Sequence, residues 1–235
     1  EDEWTQQEKL VADDGDSRDN FGISVSLSSD GGTALIGAQN DGDPNGEEAG
    51  SAYVFTRNSS GWSQQEKLAA EDGNSGDIFG SSVSLSGDGS TALIGASRDG
   101  PNDESLGAAY VFVRNTGNWA QQQKLTPDDG ESWDRFGTRL SMSGDGTTAL
   151  IDAHTDDNSN GDEAGAAYVF TENDGAWSQQ QKLIPDDGDS GDKFGLGVSI
   201  SNDGGIALAG ARKDEDPNGD AAGSAYVFSQ RVHID

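Results

Sequence analysis

The feature that most constrains this chain is a phrase that recurs four times at nearly constant spacing. Each copy opens on a tryptophan: WTQQEKL at Trp4, WSQQEKL at Trp62, WAQQQKL at Trp119 and WSQQQKL at Trp177. After each copy come a Phe-Gly segment, a segment like TALIGA and a segment ending in AYVF. A unit of about 57 residues with so few apolar positions cannot bury a core alone, so the copies must pack on one another.

Each apolar phrase has the length and pattern of a β-strand. FGISVSLS alternates at period two, and TALIGA and AYVF are short apolar runs. Asp-Gly separates the first two phrases in every copy, which predicts a tight hairpin of type I′, a turn with positive φ at both central residues. We therefore predict a four-stranded antiparallel meander in each repeat, with strands A (FG), B (TALIGA), C (AYVF) and D (W.QQ.KL).

The order of the phrases predicts how the repeats assemble. The chain begins with a D phrase, Trp4–Leu10, and ends with A, B and C phrases, Phe194–Phe228, that no D phrase follows. We predict an all-β, four-bladed β-propeller with four antiparallel strands per blade, in which the N-terminal strand completes the last blade. The predicted single domain covers 1–235, with repeats at 11–68, 69–125, 126–183 and 184–235 plus 1–10. The alternative is an open array with unpaired ends.

The charge of the chain limits its partners. It has 43 acidic residues against 14 basic ones and a formal net charge of -29. Such a charge opposes the compact state at low salt, whereas molar salt shortens the Debye length to about 3 Å and removes most of that cost. The composition therefore favours a protein from a high-salt organism. It argues against nucleic acid and anionic membranes, which are polyanions, and no apolar run approaches the roughly 18 residues of a membrane span.

The Phe-Gly of strand A, together with the Gly-Ala that ends strand B, resembles the FG-GAP repeat, the propeller repeat of integrin α-chains and of many bacterial and archaeal surface proteins. The W.QQ.KL and G.AYVF phrases are similar to the prokaryotic branch, and the resemblance covers essentially the whole chain. It implies a propeller, an extracellular or cell-surface setting, and binding or adhesion. Integrin-type repeats carry a calcium loop between strands A and B, but the Asp-Gly hairpin here is too short to chelate a cation.

The loops between strands B and C carry the sharpest candidate metal pattern. Oxygen-bearing side chains at positions 1, 3 and 5 with glycine at position 6 form the first half of an EF-hand loop. The candidate Ca²⁺ ligands are Asp41, Asp43, Asn45 and Glu47, then Asp156, Asn158, Asn160 and Asp162, then Asp214, Asp216, Asn218 and Asp220. The closing bidentate glutamate is missing, and the second repeat lacks the glycine. The alternative is a Gly/Asn/Asp-rich turn on an acidic surface.

The third repeat departs from the other three. Arg139 and Asp152 face each other across the A–B ladder, where the other repeats have small residues, and we predict a salt bridge between them near the ring axis. Trp133 stands where the other repeats have arginine or glycine, and an exposed tryptophan is suited to stacking on a sugar or filling a partner's pocket. With His154 nearby, these four residues are the candidate ligand-binding set. Local packing and a purely structural ion pair are the alternatives.

Three functions stay open at the level of sequence. The first is a non-enzymatic binding or adhesion module, a monomer or part of a longer chain, whose D–A and B–C loops contact a protein or glycan at the cell surface. The second is a purely structural domain of a larger surface protein. The third is a polysaccharide-acting enzyme. Glycoside chemistry needs two carboxyl groups in different environments, and nothing in the sequence marks one such pair.

Overall fold

A computed structural model describes residues 3–42, 45–100, 104–215, 219 and 221–230 of the chain. The first blade contains β1 (Ser24–Leu27), β2 (Thr33–Ala38), β3 (Ser51–Asn58) and β4 (Gly61–Leu68); the second β5 (Phe79–Leu85), β6 (Thr91–Ala96), β7 (Ala108–Asn115) and β8 (Asn118–Leu125); the third β9 (Leu140–Met142), β10 (Thr148–Ala153), β11 (Ala166–Asn173) and β12 (Ala176–Leu183); the last β13 (Phe194–Ile200), β14 (Ile206–Ala211) and β15 (Ser224–Ser229).

The predicted all-β fold with four propeller blades is confirmed, but within the described residues the last blade does not pack on the first, as in the alternative of an open array. Every sheet is an antiparallel meander, with four strands in the first three blades and three in the last. The predicted register is confirmed too, because Ser24 pairs with Gly37, Ser82 with Gly95 and Gly197 with Gly210. No helix long and apolar enough to cross a membrane occurs among the described residues.

Each blade buries apolar side chains against the next blade. Leu35 and Val54 of the first blade share a cluster with Phe79, Val83 and Leu85 of the second, and the next two interfaces repeat this arrangement. Alternation along the strands produces the two faces, since successive side chains of a strand point to opposite sides of the sheet. A blade therefore presents one apolar face to the blade before it and one to the blade after it.

The glycine of the TALIGA phrase lets the blades approach closely. A Cβ on Gly37 would collide with the backbone carbonyl of Gly80, which belongs to the Phe-Gly of the second blade. Gly95 stands in the same relation to Gly137 of the third blade. At these two interfaces the backbone of one blade thus rests directly on the sheet of the previous one, and this contact sets the spacing between the first three blades. In the third blade Asp152 stands at the position of the glycine, near Gly195 of the last blade.

The Asp-Gly hairpins form as predicted, but their turn type is wrong. In the first blade Gly31 has φ of 66°, whereas Asp30 is not among the residues with positive φ. The Gly31 N–H donates to the Ser28 carbonyl at 2.9 Å, and the Asp30 carboxylate accepts from the Gly32 N–H at 2.8 Å. Asp30 therefore stabilises the turn through its side chain, and Gly31 takes the left-handed conformation.

The prediction that the N-terminal strand completes the last blade is wrong. Residues Trp4–Leu10 form no strand, and the last sheet ends at β15. The Glu8 carboxylate instead accepts the Trp62 N–H at 3.0 Å, as Glu66 accepts the Trp119 N–H one blade later. The segment therefore lies beside the first blade, where the outer strand of a preceding blade would lie. The physical reason is that the blades pack consecutively, and within the described residues no comparable packing joins β13–β15 to β1.

We expect Gly37→Ala to destabilise the protein by about 1–3 kcal/mol, because the added methyl group overpacks the first interface between blades. The matched control is Gly197→Ala, where a Cβ meets nothing within 4 Å and where the other repeats carry serine or arginine. Chemical denaturation would measure both variants. Equal effects of the two substitutions would contradict the close-contact role of Gly37.

Candidate functional site

The long loops of each blade meet on one side of the molecule. The Phe79 N–H, at the end of a D–A loop, donates to the Ala49 carbonyl in the preceding B–C loop at 2.8 Å. The same bond joins Phe136 to Leu106 at 2.9 Å and Phe194 to Ala164 at 2.8 Å. The two sets of variable, acidic loops therefore form a single continuous face, the loop face, as the meander predicted.

A buried polar cluster underlies this face in the first blade. The Tyr53 hydroxyl lies 2.6 Å from Asp41 Oδ2 and 3.0 Å from Asp14 Oδ1, and Lys67 Nζ lies 2.7 Å from a carboxylate oxygen of each aspartate. The corresponding residues of the next two blades are Tyr110, Asp72, Asp99 and Lys124, then Tyr168, Asp129, Asp156 and Lys182. Each cluster ties the D–A loop, the B–C loop and the outer strand of one blade together.

These Tyr–Lys–Asp clusters were not predicted from the sequence. The signal was present, since a lysine recurs in every W.QQ.KL phrase of a chain poor in lysine. Burial lowers the pKa of Lys67, but hydrogen bonds and the charges of Asp14 and Asp41 outweigh it and raise that pKa overall. The hydrogen bond from Lys67 lowers the pKa of Asp14. The ammonium and the Asp14 carboxylate thus hold each other in their charged forms.

The first aspartate of each candidate calcium loop belongs to such a cluster. Asp41 and Asp156 face a lysine, and Asp214 lies 3.1 Å from the Tyr226 hydroxyl. Asn45 and Asn160 donate from their amides to the carbonyls of Ala70 and Pro185 at 2.7 and 2.8 Å. These bonds fasten each B–C loop to the following D–A loop.

The other candidate ligands are less constrained. Asn158 donates to the Gly165 carbonyl at 2.9 Å and accepts the Asn160 N–H at 2.9 Å, while Glu47 and Asp162 are exposed. Asp43, Asp216, Asn218 and Asp220 lie outside the described residues. Within the described ranges, no three acidic or histidine side chains converge on a metal-sized site.

The predicted salt bridge between Arg139 and Asp152 is wrong. Asp152 is fully buried, and its carboxylate accepts the Arg139 backbone N–H and lies 2.9 Å from His154 Nδ1. The Arg139 guanidinium is exposed and donates to the Thr138 carbonyl at 2.9 Å. Burial raises the pKa of Asp152, while His154 lowers it. Fixed hydrogen-bond partners stabilise a buried carboxylate at a lower desolvation cost than a guanidinium that would have to be buried with it.

Of the candidate ligand-binding residues, Trp133 and Arg139 are exposed and His154 is buried with Asp152. Arg139 borders a cleft of about 530 Å³ that Ser24, Ser81 and Thr138 also line. Trp133 lies on the loop face, and its carbonyl accepts the Thr155 hydroxyl at 2.6 Å. The structure therefore separates the four residues into a buried Asp152–His154 pair and two exposed side chains.

Comparison with known proteins agrees with this architecture. The profile of the FG-GAP repeat matches the chain at residues 4–55, 62–112, 119–170 and 177–228. The chain belongs to the FG-GAP repeat family. Proteins with FG-GAP repeats are typically extracellular or surface proteins, and the repeat is generally a non-enzymatic binding or adhesion module. The comparison with curated proteins gave no match.

The frame of these matches has a structural counterpart. Each FG-GAP match runs from the tryptophan of a W.QQ.KL phrase to the phenylalanine that ends the next strand C. The first match thus pairs Trp4–Leu10 with the first blade, beside which Glu8 lies. In this frame, the outer strand of one blade belongs to the same repeat as the inner strands of the following blade.

Calcium binding by the B–C loops stays a prediction, and the lysines give it a sharp test. A cation at Asp41 has to displace the Lys67 ammonium, so Lys67→Met should strengthen binding by leaving two carboxylates without a counter-ion. We expect calorimetric titration with Ca²⁺ in molar KCl to release heat with the wild type. The Lys67 variant should bind Ca²⁺ more tightly in the same titration. A titration without heat in both proteins would exclude these loops as calcium sites.

Asp134 gives the fold a pH dependence. It is buried, accepts the Glu131 N–H at 2.7 Å, and burial raises its pKa to about 6. A carboxyl with a raised pKa stabilises the fold below about pH 4 and loses that contribution as the pH rises through 6. We expect Asp134→Asn to increase the free energy of unfolding at pH 7 by about 1–2 kcal/mol and to flatten its decline between pH 4 and 6.

Denaturant unfolding across this pH range measures the effect. Asp128→Asn is the control, because its side chain is exposed in the same loop. An unchanged decline in the Asp134 variant would show that this carboxyl is not the group that titrates.

Proposed function

We propose that this protein is a non-enzymatic binding or adhesion module of a cell-surface or secreted protein from a high-salt environment. Its loop face contacts the ligand, a glycan or another protein, through an area centred on Trp133. The family supports the class of function, and the loop face supports the location, because loops held on a rigid scaffold commonly carry binding residues. The observation that carries the proposal is the exposed ring of Trp133 on this face.

Trp133 combines an exposed side chain with an unfavourable backbone conformation. Trp133 is 56% exposed, and its φ is 76°. The equivalent residues Gly76 and Gly191 have φ of 88° and 87°, which glycine adopts without steric cost. A bulky residue there costs on the order of 1–3 kcal/mol. Arg18 takes the same conformation in the first repeat, so what distinguishes Trp133 is the large apolar ring that it leaves in solvent. A ligand that covers this ring would explain the tryptophan.

The charge of the chain bears on the kind of ligand. A surface with a net charge of -29 repels polyanions. A neutral sugar ring, or an apolar or basic protein surface, can stack on an indole without that repulsion. The ligand we propose is therefore a neutral glycan or a protein patch without excess negative charge.

The enzymatic alternative finds little support in the carboxyl groups whose pKa is raised. Asp77, Asp134, Asp152 and Asp192 are such groups, and a raised pKa suits a general acid. All four are buried, and each accepts a backbone N–H: from Asn74, Glu131, Arg139 and Asp189 respectively. A general acid must reach the substrate, and the burial of these groups accounts for their pKa without a catalytic role.

A structural role within a larger assembly is the second candidate function. The observation that favours it is the exposed apolar side chains at both ends of the row of blades, including Val25 and Val227, which are each 69% exposed. Surfaces of this kind mark sites of protein–protein contact. This role is compatible with ligand binding, because the ends and the loop face are different surfaces.

Replacing Trp133 separates the binding role from a structural one. We expect Trp133→Gly to weaken ligand binding at least about tenfold, as for loss of an aromatic anchor, and to stabilise the fold by about 1 kcal/mol because glycine tolerates the positive φ. A glycan array in molar KCl would identify the strongest neutral sugar, and titration with that sugar would compare the proteins.

Arg18→Gly is the matched control. Arg18 occupies the same position in the first repeat with φ of 82°. It should gain similar stability and keep wild-type binding. Undiminished binding by the Trp133 variant, or absence of any bound glycan or protein patch, would rule out the proposed site.

A further inference from the structure

The two ends of the row of blades expose apolar side chains that the interior blades bury. On the first blade these are Val25 and Leu27, and on the last blade Leu208 and Val227. Ile23 and Ile206, at positions where the interior blades carry serine or threonine, add to the exposed apolar surface. Val83, the equivalent of Val25 in the second blade, is only 7% exposed. Exposure therefore reflects the missing neighbour at each end and not the residue type.

The two ends are the two halves of one interface. Between the first two blades, Leu35 and Val54 pack against Val83 and Leu85. By repeat position, Leu208 and Val227 of the last blade correspond to the first pair. Val25 and Leu27 of the first blade correspond to the second pair. The first blade thus presents the kind of surface that would cover the exposed face of the last blade.

Backbone hydrogen bonds show the same complementarity near the A–B turns. The Ser29 N–H donates to the Gly87 carbonyl, the Gly87 N–H to the Gly144 carbonyl and the Gly144 N–H to the Asn202 carbonyl, at 2.8, 2.8 and 2.9 Å. The series ends with the Asn202 N–H at one end and the Ser29 carbonyl at the other, and neither has a partner within the described part of the chain.

The loop side repeats this pattern. The Phe79 N–H donates to the Ala49 carbonyl between the first and second blades. The equivalent groups at the ends are the Phe21 N–H and the Ala222 carbonyl, and among the described residues they make no such bond. Donors and acceptors at the two ends therefore match in both places.

A groove on the last blade has the place and shape for a Phe-Gly backbone. It has a volume of about 600 Å³ and is lined by residues that include Gly197, Gly210, Ala222 and Gly223. Gly210 is the equivalent of Gly37, on which the backbone of the second blade rests, but its own Cβ position has no neighbour nearer than 3.8 Å. On the first blade, Gly22 offers a Phe-Gly whose Cβ position meets nothing within 4 Å.

The outer edge of the last blade also lacks a strand and a cation. Among the described residues, β15 has no outer partner strand, and no lysine pairs with Asp214 beside Tyr226, unlike in the clusters of the other blades. Lys9, the equivalent of Lys67, is exposed on the segment Trp4–Leu10 beside the first blade. The segment that would complete the last blade thus lies beside the first blade, whose exposed surface matches that of the last blade.

We propose that a second copy of this chain docks head to tail, with its first blade seated on the last blade and its segment Trp4–Leu10 paired with β15. Lys9 of the second copy then enters the Tyr226–Asp214 cluster. The chain's own first blade does not fill this role, because within the described residues it makes no packing with the last blade comparable to that between consecutive blades. Packed interfaces do not deform freely to bring such ends together. The contact is heterologous, joining different surfaces of the two copies.

Sedimentation velocity of the full chain in molar KCl tests this, since the salt screens the repulsion between acidic copies. We expect the mass to rise at least twofold above the monomer as the concentration is increased. Val25→Asp and Val227→Asp should each remain monomeric over the same range. Both positions are exposed in the single chain, so thermal unfolding should show that each variant still folds.

Mixing the two variants gives the decisive measurement. Val25→Asp keeps an intact last blade and Val227→Asp an intact first blade, so an equimolar mixture should form a one-to-one dimer and nothing larger. Ser59→Asp, at an exposed turn, controls for the added charge and should associate as the wild type does. A wild type that stays monomeric at every concentration, a mixture that stays monomeric, or equal loss in the Ser59 variant would each overturn the proposal.

Discussion

The contact between the Phe-Gly backbone of one blade and the fifth residue of strand B of the previous blade, a glycine in the first two blades and Asp152 in the third, governs the rest of the structure. Gly37 and Gly95 have no room for a Cβ, because the carbonyls of Gly80 and Gly137 lie over them. This approach brings Val83 and Leu85 onto Leu35 and Val54, and it aligns the hydrogen bonds at the turns and at the loops. A chain of low apolar content can form a core in this way because every blade shares its core with a neighbour.

The Tyr–Lys–Asp clusters hold the loop face on this scaffold. Asp41 and Lys67 take a buried carboxylate and an ammonium out of water, and their desolvation is offset by close contact and by the Tyr53 hydroxyl. The lysines are few, but they stand where acidic loops converge. Without them the D–A and B–C loops would bring like charges together beneath the surface that we propose for binding. The same residues therefore explain both the order of the loops and the uneven use of lysine.

Sequence alone was sufficient for the strands, the register and the number of blades, because alternation and Asp-Gly turns are local signals that repeat four times. It failed where the outcome depends on geometry between blades or on competing partners. Ring closure by Trp4–Leu10 depends on the rotation from blade to blade, which no local pattern encodes. The salt bridge between Arg139 and Asp152 was predicted because opposite charges stand in register. The buried carboxylate instead took the Arg139 backbone N–H and His154, partners that charge patterning does not reveal.

Trp133 and the end faces depart from the repeat for different reasons. At the ends, Val25 and Leu208 are ordinary members of the repeat whose neighbours are absent, so their exposure reflects the interface that all blades share. Trp133 is an exception to the repeat itself, since it places an exposed aromatic ring where the equivalents are Arg18, Gly76 and Gly191. Exposure that follows the repeat indicates assembly, whereas exposure that breaks it indicates recognition. On this physical distinction we propose two separate surfaces, one at the ends of the row of blades for a second copy of the chain and one on the loop face for a ligand.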